Sequence, residues 1–464
     1  MQLNYFNFKR FDNLILLTND AGKFAFVSPA EMKKLMTKKL TPDETCYAKL
    51  RDAFFLTDQP IEVVAAEMRD YIRDNKAYLF SGPSLHIFVL TNQCNMQCVY
   101  CQAQDAGSTS HGKMSVEIAE KAADIALSSP GNHLVFEFQG GEPLLNFDVL
   151  KHIVLYAESK KEKKRIQYTV ASNLLCISND MLAFFSQYHI SISTSLDGNA
   201  VLHDSNRRTY SGDGTFAFVT SGIQRVRNAG VDIGAIQTTT RKTLNMGKEM
   251  IDAYIALGFE SIFIRPLTPL GLAQDKWLDI GYSADEFLRF YENTLTYMIQ
   301  KNRDGYYIRE GHAALFLKKI LHGYSENYME LRSPCGAALG QIAYYYDGEI
   351  YTCDEGRMLS EMGDSAFRIG SVYSSSYDNI LNSKVCKATC AASVLESAPT
   401  CASCVYQPYC GICPVIQYAQ CGDIISKKPH DDRCRIYGGI LDILFNLIKT
   451  EDEDVMLILH SWLN

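Results

Sequence analysis

The stretch TNQCNMQCVYCQAQ, Thr91–Gln104, sets Cys94, Cys98 and Cys101 within eight residues of one another. It continues from the apolar run LHIFVLT, Leu85–Thr91. A short apolar run bounded by polar residues reads as a buried strand, which puts the three thiols on the loop that leaves it. The pattern then repeats. LVFEFQ (134–139), IQYTVAS (166–172), ISISTS (190–195), VDIGAIQTTT (231–240) and SIFIRPL (261–267) read as five further strands. The segments between them, 115–129, 146–164, 179–188, 215–230 and 246–258, carry the apolar spacing of helices. Six strands alternating with helices predict an α/β fold, a partial (β/α)6 TIM barrel whose parallel sheet is covered on its outer face and which falls short of eight strands.

Sheets of this kind bind ligands at the carboxyl ends of their strands. The polar punctuation falls there. The cysteines follow the first strand and GGEP, Gly140–Pro143, follows the second. ASN (171–173) ends the third, SLDG (195–198) the fourth, and Arg265–Pro266 the sixth. Five strand ends thus converge on one mouth.

Composition narrows the function. The chain has 464 residues, 47% of them hydrophobic, enough for two to four domains. A net charge of -8 without a basic tract excludes a general nucleic-acid binder, and KKEKKR (160–165) reads as a solvated helix end. No apolar run reaches the ~18 residues of a membrane span, and MQLNYFNFKRFDN lacks a signal-peptide core. The expected compartment is a reducing cytoplasm, where fifteen cysteines are metal ligands or reactive thiols rather than a disulfide framework. Ten lie between Cys335 and Cys434, while Cys46 and Cys176 stand alone as ordinary thiols.

Four segments are expected. Residues 1–82 hold two strands in NLILLTNDAGKFAFVS (13–28) and helices at 29–40 and 61–75, a winged-helix-like plan ending in the linker SGPS (81–84). Residues 83–312 form the partial barrel; residues 313–434, rich in Cys, Gly, Pro and Tyr, suit a fold held by metals. Residues 435–464 read as amphipathic helices docked on the body. GLAQDKWLDIGYSADEF (271–287) reads only as a loop leading to a helix.

Structural zinc wants four ligands, usually in two pairs. Here there are three, and the next donor, His111, lies beyond a polar loop. Three thiolates suit three corners of a 4Fe–4S cube and leave one iron open. The Cx3CxxC spacing, with Tyr100 before the last cysteine, resembles the signature of radical S-adenosylmethionine (SAM) enzymes. The resemblance implies that the open iron chelates the amino and carboxyl groups of the cofactor's methionine moiety. One electron then cleaves the S–C5′ bond and yields a 5′-deoxyadenosyl radical. Gln139, Gly140, Gly141 and Glu142 resemble the glycine-rich stretch that meets the cofactor's amino group; glycines permit close backbone approach and Glu142 accepts from an ammonium. Ser172, Asn173 and Ser195 lie where relatives contact ribose or carboxylate, or else are turn and cap residues. Arg207, in HDSNR (203–207), either faces the cofactor carboxylate or braces its loop.

The later cysteines resemble the SPASM extension, a cap with two auxiliary 4Fe–4S clusters, which with the first makes three. The resemblance assigns Cys401, Cys404, Cys410 and Cys434 to an outer cluster, with Cys421 a rival for Cys434. It assigns Cys335, Cys353 and Cys413 to an inner one, whose fourth ligand is Cys390, Cys386 or none. CGIC (410–413) has two residues before its last cysteine where the usual pattern has three. Asp354 matches a catalytic aspartate of sulfatase-maturing relatives, or is a turn residue capping backbone amides. The N-terminal stretch and YQPYCGICPV (406–415) look most like the maturases of the His-Xaa-Ser peptide system. Residues 1–82 then either capture a leader peptide at a sheet edge or serve as a packing cap. The implied function is oxidative modification, a cross-link foremost, of a ribosomally made precursor peptide. Flavodoxin or ferredoxin would donate electrons, and a paired maturase would assist. The rivals are a formylglycine-type maturase, a peptide epimerase and a non-catalytic metal-binding adaptor.

Overall fold

The computed structural model describes residues 1–103, 112–323, 328–425 and 431–463; His111 lies outside them. Five short strands come first: β1 (Gln2–Leu3), β2 (Asn7–Phe11), β3 (Leu14–Thr18), β4 (Phe24–Val27) and β5 (Leu56–Thr57). The barrel strands follow: β6 (Leu85–Val89), β7 (His133–Gln139), β8 (Arg165–Ser172), β9 (Ser191–Ser195), β10 (Ile233–Thr238) and β11 (Ser261–Arg265). All six coincide with the runs read from sequence, and each pairs in parallel with its neighbour.

Helices cover the outer face. In Val116–Leu127, Ser115 caps the amino end by accepting from the Ile118 amide. Its Ala119, Ala122, Ala123 and Ala126 are buried against the sheet, where small side chains let helix and strands approach. The sheet face beneath these helices is aromatic: Phe88 stacks obliquely on Phe136, 4.9 Å between centroids, and on Tyr344 at 5.2 Å.

The sheet does not stop where the alternation of strand and helix stops. Its order is β12–β11–β10–β9–β8–β7–β6–β13–β14–β15, with β12 (Arg309–Glu310), β13 (Gln341–Tyr344), β14 (Glu349–Tyr351) and β15 (Arg368–Ser371). β12 adds a two-residue parallel strand and β13 pairs in parallel with β6. Thus the cysteine-rich segment supplies the far edge of the barrel sheet. β13 is buried at all four positions and lacks the two-residue rhythm that marks a strand in sequence. His86 of β6 locks this edge: its ring nitrogens lie 3.1 Å from the Tyr344 and Ser129 hydroxyls. Burial pushes its pKa down to about 3, so the imidazole is neutral.

At the amino end β2, β3 and β4 form an antiparallel sheet. Gly22 turns β3 into β4 at φ +72, a left-handed conformation that glycine adopts without strain. The helices Pro29–Met36, Thr45–Asp52 and Ile61–Asn75 follow. This sheet docks on the 401–410 loop. Asn7 Nδ2 donates to the Cys404 carbonyl at 3.1 Å, Thr18 Oγ1 to that of Val405 at 2.7 Å, and Tyr409 OH to that of Gly22 at 3.1 Å. The tail forms two helices, Asp432–Lys449 and Glu453–Ser461; the first begins ahead of residue 435 and carries Cys434 in its opening turn. Among the described residues no helix is long and apolar enough to cross a membrane.

Phe445, on the first of these helices, is fully buried and meets Phe11, Phe24, Phe26, Tyr406 and Tyr409, with centroids 5.5–6.4 Å away. Truncating such a residue costs about 3–5 kcal/mol. Phe445→Ala is therefore expected to lower the thermal midpoint and to open residues 1–82 to limited proteolysis before the barrel. Unchanged cleavage would show that the aromatic hub does not hold this segment.

Candidate active site

The cysteine loop is fixed from below by glycine. A Cβ on Gly140 would lie 2.3 Å from the Thr91 carbonyl, and one on Gly141 2.3 Å from that of Gln93. The Gly141 amide donates to Thr91 O at 2.9 Å and the Glu142 amide to Gln93 O at 2.8 Å. These glycines are needed first for the approach of the β7 turn to the thiol loop. From the side, the Gln97 and Val99 amides donate to the Arg208 and Asn206 carbonyls, both at 2.8 Å. The segment 271–287, read as a loop leading to a helix, forms the short helices Leu272–Asp275 and Trp277–Ile280 ahead of the helix Ala284–Arg303, and its Leu272 amide donates to Cys101 O at 3.0 Å.

Two buried carboxylates organise the mouth. Glu142, 1% exposed, accepts from Ser172 Oγ at 2.9 Å and from the Asn173 and Leu144 amides at 2.8 and 3.1 Å. Burial nevertheless pushes its pKa up to about 7. Asn173 in turn donates to Asn95 Oδ1 at 2.7 Å, beside Cys94 Sγ at 3.8 Å. Asp197, 0% exposed, accepts from Tyr100 OH at 2.6 Å and Asn206 Nδ2 at 3.0 Å. It pairs with Arg207 Nε at 3.3 Å, off the hydrogen-bond direction. The Arg207 guanidinium lies 5.1 Å over the Tyr100 ring, with Nη1 3.9 Å from Cys98 Sγ. SLDG was legible as strand-end punctuation; that its Asp197 joins Tyr100 to Arg207 required the fold.

These elements enclose a cavity of about 310 Å³. Cys94, Cys98, Cys101, Tyr100, Gln139, Gly140, Gly141, Glu142, Ser172, Asn173, Ser195 and Arg207 all line it. Burial pushes the three thiols upward, Cys101 to about 12. Thiolates there need a compensating positive charge, which a bound metal supplies. Among the described residues no three His, Cys, Asp or Glu donors converge on a single ion. The three thiols line the cavity, and three thiolates of one loop are a donor set that fits a 4Fe–4S cluster.

The facing wall comes from the cysteine-rich segment and the tail helix, and sequence reading missed most of it. Glu330 accepts from Arg265, from Arg433 Nη2 at 3.0 Å and from Tyr437 OH at 2.9 Å. The two guanidiniums hold its carboxyl well below the usual range, while burial keeps His312 neutral, its pKa near 4. No periodicity joins these positions. Asp354 is absent from the lining; it binds Arg357 Nε at 2.7 Å, and Arg357 Nη2 reaches Gln139 Oε1 at 3.3 Å. Glu355 and Arg357 face the cavity.

The remaining cysteines separate into groups. Cys335, Cys353 and Cys413 pack in one cluster with Leu270 and Ile416, two cavity-lining residues. Cys401, Cys404 and Cys434 all bear electrostatically on Cys410. Cys386 and Cys390 sit one turn apart on the helix Lys384–Ala392; Ser393 donates to the Cys390 carbonyl at 3.1 Å and accepts from the Cys335 amide at 3.0 Å. Cys421 is exposed, accepting from Gln417 Nε2 at 3.2 Å. Cys46 and Cys176 are half-buried.

Removing one partner of a buried ion pair costs about 3–5 kcal/mol. Asp197→Ala, which strands Arg207 and the Tyr100 hydroxyl, is expected to lose that much in denaturant unfolding of the anaerobic apoprotein. Asp197→Asn, which keeps an acceptor, should lose less. An Ala variant as stable as its parent would remove Asp197 from this bracing role.

A model of the radical SAM superfamily matches residues 88–263, from β6 into β11. An uncharacterized protein of Methanocaldococcus jannaschii is 25% identical over 279 residues, 60% of this chain and 87% of that protein. A cysteine-type anaerobic sulfatase-maturating enzyme of Clostridium perfringens is 24% identical over 281 residues, 58% of this chain and 74% of the enzyme. Among solved structures, native anSMEcpe with bound AdoMet superposes with a TM-score of 0.67 at 19% identity, covering 79% of this chain and 99% of that one. Streptococcus suis SuiB bound to S-adenosylmethionine gives 0.55 at 15% identity, covering 92% and 99%. At these identities the likeness is one of fold. The thiol loop on the first strand of a parallel partial barrel, the residues gathered at its mouth and the matched model together show that this chain carries a radical SAM domain, of the family that uses S-adenosylmethionine with a 4Fe–4S cluster.

Proposed function

We propose that the protein is a radical SAM/SPASM maturase that oxidatively cross-links residues of a ribosomally made precursor peptide. The reading rests foremost on one observation: three thiols of a single loop face a cavity whose opposite wall is built by the cysteine-rich segment. Cys94, Cys98 and Cys101 would hold a 4Fe–4S cluster with one iron left for the cofactor. When bound, cluster and S-adenosylmethionine supply a 5′-deoxyadenosyl radical.

The chain's own residues bind and orient. Glu142 receives the cofactor's ammonium, Gln139, Gly140 and Gly141 offer backbone beside it, and Ser172, Asn173 and Ser195 contact its polar groups. Arg207, braced by Asp197 and stacked on Tyr100, faces its carboxylate. Cys335, Cys353 and Cys413 would hold an inner auxiliary cluster, and Cys401, Cys404, Cys410 and Cys434 an outer one. The two cysteine groups described above support this division, and the fourth ligand of the inner cluster is Cys390, Cys386 or none. Such clusters can accept the electron that a substrate radical must lose. Asp354 acts through Arg357, whose guanidinium it orients toward Gln139. Residues 1–82 capture the leader at a sheet edge, flavodoxin or ferredoxin donates electrons in the cytoplasm, and a second maturase pairs with this one.

The likeness to sulfatase-maturating enzymes favours one alternative, conversion of a protein Cys or Ser to formylglycine. The test is anaerobic reconstitution, reduction and incubation with a candidate precursor, reading deoxyadenosine and product mass. A loss of two hydrogens with a ring that resists fragmentation supports the cross-link, and a hydrazide-reactive aldehyde supports formylglycine. Absence of deoxyadenosine with any peptide overturns both. Replacing Cys94, Cys98 and Cys101 by Ala should remove about four of about twelve irons and abolish deoxyadenosine.

The Glu142 carboxyl carries a sign that can be checked. Its folded pKa stands above the ordinary 4.5, so burial favours the protonated form; that contribution to stability is present at low pH and lost as pH rises toward 7. An ammonium ligand needs the carboxylate. Affinity for S-adenosylmethionine should therefore fall about tenfold per pH unit below about 7, measured by equilibrium dialysis, and Glu142→Gln should flatten the profile.

A further inference from the structure

Arg332 is 1% exposed, yet among the described residues no carboxylate pairs with it. Its Nη1 donates to Met329 Sδ at 3.2 Å, while Nε and Nη2 are buried without a hydrogen-bond partner. The guanidinium carbon stands 3.9 Å over the Tyr78 ring, which offers a π-face and a hydroxyl but no full negative charge. The neighbouring carboxylates are committed elsewhere, Glu396 to Lys76 and Ser333, and Glu330 to Arg265 and Arg433. The backbone is shaped around this cation. A Cβ on Gly340 would overlap Arg332 Nη1, and one on Gly336 would press within 2.6 Å of Met329 Sδ. Both positions leave room for a guanidinium and a thioether that a larger residue would displace.

A buried charge without a counter-ion is strongly destabilising. Arg332 therefore calls for an anion, and the loop that carries it leads to one. Cys335 Sγ lies 4.0 Å from the Met329 carbonyl, so Arg332 and Cys335 meet the same residue. Cys335 packs in turn with Cys353 and Cys413. Burial draws the Arg332 pKa below its ordinary value, and negative charge at Cys335 acts in the opposite sense. Three thiolates on a 4Fe–4S cluster leave the whole anionic, and reduction adds one more negative charge.

We propose that Arg332 is the counter-charge of the inner auxiliary cluster and raises its reduction potential. The inference rests on the reading of Cys335, Cys353 and Cys413 as ligands of that cluster. Arg332 is absent from the lining of the main cavity, so it acts through its field and not by touching substrate. A fixed cation stabilises the reduced, more negative state over the oxidised one. In the cross-linking reading the electron comes from the substrate radical, which closes a bond to a second residue and releases that residue's proton.

The test uses the full chain carrying Cys94→Ala, Cys98→Ala and Cys101→Ala, anaerobically reconstituted so that only the auxiliary clusters are loaded. Electron paramagnetic resonance of the reduced protein identifies the inner cluster as the signal that Cys413→Ala removes, and redox titration reads its potential. Arg332→Met should lower the ratio of reduced to oxidised inner cluster about tenfold at fixed potential, a shift of about 59 mV to more negative values. The outer signal should stay where it was. Arg332→Lys, which keeps the charge, should shift the inner potential less than Met does. In denaturant unfolding of the metal-free protein, Arg332→Met should be at least as stable as its parent, because it removes an uncompensated charge; a guanidinium that served only to stack on Tyr78 would cost stability when removed. An unmoved inner potential, an equal shift of both clusters, a Lys variant displaced as far as Met, or a less stable Met apoprotein overturns the assignment. Two auxiliary signals with an unmoved inner potential sink Arg332 and spare the cluster reading, whereas no signal that depends on Cys413 sinks both.

Discussion

Everything at the mouth of the barrel depends on one steric fact: two peptide segments touch backbone to backbone. Gly140 and Gly141 lie so close beneath Thr91–Gln93 that neither position has room for a β-carbon. A side chain at either would lift the thiol loop off β7 and move the thiols away from Glu142 and Arg207. Two amide-to-carbonyl hydrogen bonds then set the height of the loop. Glycine here permits contact within the protein itself.

Around that contact the mouth is braced by buried charge. Asp197 accepts hydrogen bonds from Tyr100 and Asn206 and pairs with Arg207, and Glu330 gathers Arg265, Arg433 and Tyr437 on the facing wall. Buried carboxylates are tolerated only with such partners. The two clusters differ in origin. The first is local to the barrel, whereas the second joins a barrel strand end to the tail helix and so depends on the whole chain having folded.

That difference explains what could be read from residues alone. Strands β6–β11 announce themselves because each is a compact apolar run ending in polar punctuation, and Cys94, Tyr100, Gly140, Glu142 and Arg207 fall at or near those endings. β13 stayed hidden because QIAY is too short and too evenly buried to show a period. Glu330 and Arg433 stayed hidden because an ion pair between residues 103 positions apart leaves no mark on local spacing. Contacts far apart in sequence are equally silent elsewhere: Lys76 reaches Glu396 and the Ser333 carbonyl.

The docking of the amino-terminal sheet bears on how the chain is assembled. Asn7 and Thr18 satisfy carbonyls nearly four hundred residues downstream, and Phe445, close to the carboxyl end, fills the space between them. Strands β2–β4 thus wait for the helix Asp432–Lys449 before their apolar face is covered. Contacts of such long sequence separation form late. The loop carrying Cys401, Cys404 and Cys410 acquires its final shape only when the amino-terminal sheet and the helix Asp432–Lys449 have met over it.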